Sequence, residues 1–240
     1  MRPKASNVQS VPLRAPAMRP TGEHASPERV LDCFLNALRS AEDDRAAERA
    51  PVGIDSLDEG EIGDLLQSGC ALAGWGCFRE VFYPSVPHGL RELQNAEPSE
   101  RSRLPRDSER LRADLVLTPS PTRPPLDPLA HQRETRAAEG TLFADVARRH
   151  AGRPSEPDAG PCPPGDAAWI EVKCTGQIAY VDGVPRPNQR YAGEVVLGPA
   201  LDLAKLARDR MIVHGMSVLV VFVRDEATAM HDLGVSAHRL

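Results

Sequence analysis

The chain has 240 residues, of which 41% are hydrophobic, 4% aromatic and 23 proline. That is enough for one substantial α/β domain with extensions outside any packed core, while two full domains would have to be small. A formal net charge of -5 argues against a protein that coats nucleic acid through a basic surface. It leaves room for an enzyme that meets DNA in one cleft, where only the local potential counts.

Cys33, Cys70, Cys77, Cys162 and Cys174 form no CxxC pair, and no two histidines stand at zinc-ligand spacing. A structural zinc and a disulfide scaffold are therefore not expected, and a reducing cytoplasm is the default compartment. No stretch approaches the roughly 20 apolar residues that span a bilayer, and no apolar run of a secretory leader follows the N-terminal charges. The lysines are only Lys4, Lys173 and Lys205, against 26 arginines. In that background arginine serves ordinary surface charge, so a lysine is more informative than usual.

Residues 1 to 25 carry four prolines and no periodic apolar pattern, which predicts a disordered tail. Ser26-Pro27-Glu28 predicts a helix start, with Val30, Leu31, Phe34, Leu35 and Leu38 at helical spacing and an end in the charged run before Arg49. A second helix is expected over 56–73 and is broken by Gly74-Trp75-Gly76. The run 77–83 follows as the first strand, ended by Pro84.

The mixed charges of 95–110 suggest an exposed connection. Residues 111–118 predict a second strand, stopped by Pro119, and the five prolines of 119–128 forbid a regular element. A helix is expected over 129–150, a loop over 151–166, and a third strand over 168–175. Residues 177–196 read as a hairpin or extended excursion with a turn at Asp182-Gly183. A helix is expected from Pro199 to Val213, ended by Gly215. The apolar run Ser217 to Val223 predicts a strand buried on both faces, and a last helix covers 226–233. The fold class is α/β, with a mixed central sheet flanked by helices. A tail (1–25), an N-terminal helix (26–50) and one α/β domain (51–240) follow, with an insertion over 119–166.

The sharpest chemical signal is Glu171-Val172-Lys173. Residues two apart in a strand share a face, so Glu171 and Lys173 emerge side by side while Val172 points into the other layer. A carboxylate offers hard oxygen to magnesium. The ammonium beside it could stabilise developing charge or orient and deprotonate an attacking water. A second carboxylate is then needed from a neighbouring strand, and Asp114 heads an otherwise apolar one. Asp158 and Asp166 are rivals, but Asp158 lies in a Pro-rich stretch where no strand can form. His88, His131, His150 and His214 are scattered, and Arg79 and Tyr83 read as residues flanking the first strand. No GxxxxGK[ST], GxGxxG or GxSxG motif is present, which removes common nucleotide-binding and serine-hydrolase chemistries.

These residues resemble the PD-(D/E)xK nuclease superfamily, whose restriction-endonuclease-like core has the same helix-strand-strand-strand-helix-strand order; the resemblance spans about residues 56 to 223. By that resemblance Asp114 and Glu171 would be metal ligands together with the main-chain carbonyl of Val172, and Lys173 the catalytic lysine. An acidic residue at the first core helix would be Glu61, with Glu80 competing. Gln177 and Lys205 stand where further site contacts could come from. The chain departs from the pattern in that Asp114 and Glu171 lie 57 residues apart, which an inserted helix between the second and third strands accounts for.

The implied cofactor is Mg2+, or Mn2+ in its place, and the implied substrate is DNA rather than RNA. A bland alternative stands beside this one: a catalytically inactive nuclease-fold protein serving as a binding or scaffold module. A protein partner or a homodimer fits either reading, and no membrane association is expected.

Overall fold

The computed structural model describes residues 26–85, 110–138, 160–181 and 183–239. The expected tail, the 95–110 connection save Arg110, His88, His150 and Asp158 lie outside them, as does Asp182 of the expected turn.

The first helix, α1 (Pro27–Ala47), starts as the sequence predicts. Ser26 accepts from the Arg29 N–H with Pro27 in the first turn, and Val30 and Phe34 form its buried side. Residues Ile54–Ser56 form one 3-10 turn before α2 (Glu59–Leu72). Here a capping box sets the start: Asp58 accepts from the Glu61 N–H at 2.8 Å, and Glu61 accepts from the Asp58 N–H at 2.9 Å. Gly74 takes a φ of 87° that suits glycine, and the chain turns into β1 (Gly76–Phe82).

The next strand, β2 (Arg112–Thr118), runs antiparallel to β1, and β3 (Ala168–Gly176) antiparallel to β2. Between β2 and β3 lies α3 (Pro128–Ala138); the rest of the expected 129–150 helix is outside the described residues. Buried Arg110 grips Asp127 at 2.6 and 2.9 Å and the Tyr83 carbonyl at 2.9 Å, while Asp127 caps α3 by accepting from the N–H groups of Leu129 and Ala130. A hairpin, β4 (Ile178–Val181) with β5 (Val184–Pro187), forms a separate ribbon. Helix α4 (Tyr191–Arg208) then crosses to β6 (His214–Phe222), which pairs parallel with β3, and α5 (Glu226–Arg239) closes the chain. The main sheet is mixed, in the order β1-β2-β3-β6.

Helix α4 corrects the sequence reading in two places. It begins eight residues before Pro199, which sits inside it. An interior proline leaves the carbonyl four residues earlier without its N–H donor. Here that carbonyl, Val195 O, accepts from the Ser236 hydroxyl of α5 at 2.7 Å. The helix also stops at Arg208 rather than Val213. Buried Asp209 ends it, accepting from the N–H groups of Met211 and Ser85, each at 2.9 Å.

Two cores result. Val30, Phe34, Ile62, Leu66 and Cys70 of α1 and α2 pack on Leu115, Leu117, Ile170, Val172 and Val218 of the sheet. Helix α1 thus belongs to the same core as the domain that follows it. Across the sheet Val116 and Trp169 meet Tyr83, Cys162 and Leu206 of α4. No helix among the described residues is long and apolar enough to cross a membrane.

Helices α1 and α2 approach closely at Gly69, where an added Cβ would lie 2.7 Å from Ala37 Cβ and 3.0 Å from the Cys33 carbonyl. Gly69→Leu is therefore expected to lower the unfolding free energy by about 2–3 kcal/mol through overpacking. Urea denaturation checks it; an unchanged midpoint would show that the helices separate freely here.

Candidate functional site

The site grows from an irregularity in the sheet. The β1–β2 register runs from Gly76↔Thr118 to Arg79↔Leu115, skips Glu80 and Asp114, and resumes at Val81↔Ala113. At the skip Glu80 has a φ of 53°, rare for a residue with a side chain. Past it, β2 changes face: Leu115 and Leu117 lie in the α1/α2 core, whereas Ala113 lies in the core across the sheet. The β2–β3 ladder stops at Leu115↔Ile170. Beyond that point the Asp114 carboxylate takes the place of a main-chain acceptor, receiving the Val172 N–H at 2.7 Å. Asp114 is thereby fixed against the middle residue of Glu171-Val172-Lys173.

Glu171 and Lys173 leave β3 on the face covered by α4, while Val172 is buried in the α1/α2 core. Glu171 is only 2% exposed. Its Oε2 accepts from Lys205 Nζ at 2.7 Å, and its Oε1 accepts from the Tyr83 hydroxyl. Burial pushes the Glu171 carboxyl up to about 7, with Asp114 adding to the rise and the hydrogen bonds from Lys205 and Tyr83 opposing it. Burial and the hydrogen bond to Glu171 also drive Tyr83 far above the usual phenol range, so it remains a neutral donor.

Lys173 Nζ reaches Glu59 at 3.2 and 3.3 Å. Burial pulls this ammonium down, but the carboxylates of Glu59, Asp202 and Asp114 outweigh it and hold Lys173 above its ordinary value. The group is a standing cation and is not poised to act as a base.

The other expected residues fall unevenly. Glu61 is spent on the α2 capping box, so the α2 carboxylate at the site is Glu59, two positions earlier. The reason is local: the box needs its Glu three residues after Asp58, which points Glu61 back at its own helix end. Glu80 shares a small cavity of about 70 Å³ with Glu59, Gly60, Gly63, Arg79, Asp114 and Val172. Its own side chain is half-exposed and 3.9 Å from Arg112. Gln177 joins β6 through its N–H, donating to Phe222 O at 3.1 Å, and lines a different cleft with Arg224 and Phe222. Lys205 is brought directly onto Glu171. Asp166 lies exposed in the 3-10 turn Pro164–Asp166 before β3.

Three site residues escaped the sequence reading. Tyr83 directly follows β1 with no motif to mark it. Glu59 carries no signal beyond being acidic at a helix start. Asp202 of α4 is 8% exposed and its Oδ2 has no hydrogen-bond partner. A residue three before Lys205 on a helix was the available clue to it.

Among the described residues no three His, Cys, Asp or Glu side chains gather at ligating geometry. Magnesium keeps several waters and takes one or two carboxylates plus substrate phosphate. Asp114, Glu171 and the Val172 carbonyl would hold it, and the enclosed, donorless Asp202 oxygen adds local negative field.

The buried Glu171 carboxylate gives a stability test. Its pKa in the fold lies above the ordinary 4.5, so the native state holds the proton more tightly than the unfolded chain. Its contribution is then most favourable below pH 4.5 and is lost as pH rises toward 7, a cost on the order of 3 kcal/mol. Glu171→Gln removes that cost but also unpairs Lys205. The variant is expected to exceed wild type by about 1–2 kcal/mol at pH 8 and to lose the advantage near pH 4.5. Urea melts at the two pH values decide it, and a less stable variant at pH 8 would refute the account.

No family model, curated protein or solved structure matches the chain with significance.

Proposed function

We propose that the chain is a divalent-metal-dependent nuclease that hydrolyses phosphodiester bonds in DNA, with a restriction-endonuclease-like core in which α3 belongs to an insertion. The observation that carries this reading is the Asp114 carboxylate seated on the main-chain N–H between Glu171 and Lys173. Chance placement of an acidic strand residue does not require it to end the β2–β3 ladder at this position. The sheet order, with three antiparallel strands followed by a helical crossover to a parallel fourth, supports the same resemblance.

In this reading Asp114 and Glu171 hold Mg2+, with Mn2+ able to replace it. When bound, the ion would polarise the scissile phosphate and acidify a water ligand. Lys173, kept cationic by its acidic neighbours, stabilises the negative charge that develops on the phosphate oxygens. Glu59 orients that ammonium, and Lys205 with Tyr83 fixes the Glu171 carboxylate.

One observation favours the second reading, a non-catalytic nuclease-fold binding module. Both Glu171 oxygens already have donors, and the Lys205 ion pair stands where an ion would have to bind. Incubating the purified chain with linear and circular DNA, and separately RNA, with Mg2+, Mn2+ or EDTA tests the proposal. Metal-dependent cleavage of DNA is the expected result. Absence of cleavage together with absence of Mn2+ binding would leave only the binding module.

A further inference from the structure

Gly198, Asp202 and Lys205 lie four and three residues apart on α4 and so share one face of that helix. Both ends of this face touch the Glu171-Lys173 pair. A Cβ on Gly198 would sit 3.5 Å from Lys173 Cγ, and Lys205 reaches Glu171 at 2.7 Å. Asp202, between them, therefore stands over the middle of that strand segment.

Its surroundings lack a partner. Asp202 is 8% exposed, and no protein group donates to its enclosed Oδ2. Buried carboxylate oxygens are satisfied in nearly all folded proteins, so a bare one marks a place completed by something else. Ser217 lies beside Glu171 on the adjoining strand, and its buried Oγ is likewise without a partner. The charges agree. The carboxylates of Asp114, Glu171, Glu59 and Asp202 outnumber the ammonium groups of Lys173 and Lys205 that they face.

We propose that Asp202 is a further carboxylate of the cation site, holding the ion through one of its water ligands between α4 and β3. A bridging water is required because no three acidic side chains among the described residues reach direct ligating geometry, and magnesium retains its waters readily. Asp202 is thus a positioning residue that acts on the ion's hydration shell. The inference rests on the reading that Asp114 and Glu171 hold the ion.

Calorimetric titration of the full chain with MnCl2 tests it, alongside thermal melts. Wild type is expected to bind one Mn2+ and Asp114→Asn to lose binding. Asp202→Asn is expected to weaken binding by about tenfold or more with an unlowered melting midpoint, and Asp202→Glu to recover most of the loss. If the amide variant does not fold, Asp202→Ser is read in its place. Wild-type affinity in the uncharged variant, with Asp114→Asn still defective, overturns the role of Asp202 while the cation site stands. Absence of Mn2+ binding in wild type overturns both.

Discussion

Under the proposed function, Lys173→Ala is expected to lower magnesium-dependent DNA cleavage by about a thousandfold or more, the scale of losing one charge aimed at the transition state in a partly enclosed site. The fold should hardly notice. Lys173 is about one-third exposed, and its partner Glu59 is more open still, so their pairing is a surface ion pair of small worth. Loss of cleavage with an unchanged melting midpoint therefore separates chemistry from folding. Lys173→Arg is a useful companion: a bulkier, forked cation at a place shaped for a compact one should recover little. Cleavage by Lys173→Ala at the wild-type rate would sink the assignment of this lysine and, with it, the nuclease reading of the site.

The second large effect is at Asp114, where one side chain has two separable duties. Its carboxylate satisfies the Val172 N–H at 2.7 Å at the place where β2 and β3 part, and in the proposed function it also holds the ion. Asp114→Ala removes both. The orphaned N–H is expected to cost about 1–3 kcal/mol of stability, and cleavage is expected to fall at least about a thousandfold. Asp114→Asn keeps an acceptor oxygen, so its stability should stay within about 1 kcal/mol of wild type while cation binding and cleavage are still lost. Urea denaturation, Mn2+ titration and a cleavage assay on both variants resolve the two duties. Full activity in the amide variant would show that Asp114 serves only the sheet.

Most of the fold was legible in the chain because its signals are local. Ser26-Pro27 marks a helix start through cap chemistry, Gly74-Trp75-Gly76 a helix break, and the alternation around Glu171 a strand whose charged residues must share a face. Helix α4 was misplaced for an equally specific reason. Pro199 reads as a helix start when only neighbours in sequence are considered. Its lost backbone bond is replaced by Ser236, 37 residues later, and no local pattern contains that compensation. In the same way the Asp209 stop depends on what its carboxylate holds, including the N–H of Ser85 just beyond the end of β1.

At the site, the sequence by itself determined that Glu171 and Lys173 share one face of their strand, since strand geometry leaves no other choice, and it proposed Asp114 from the order of elements. Only the tertiary structure decided which groups surround them. It seats Asp114 on Val172 through a break in the sheet at Glu80, replaces Glu61 by Glu59 because the capping box claims the former, and brings Tyr83, Asp202 and Lys205 onto one carboxylate-lysine pair. Those partners come from a strand end and a helix far along the chain. Their convergence depends on how α4 crosses the sheet, a packing outcome that no short-range periodicity encodes.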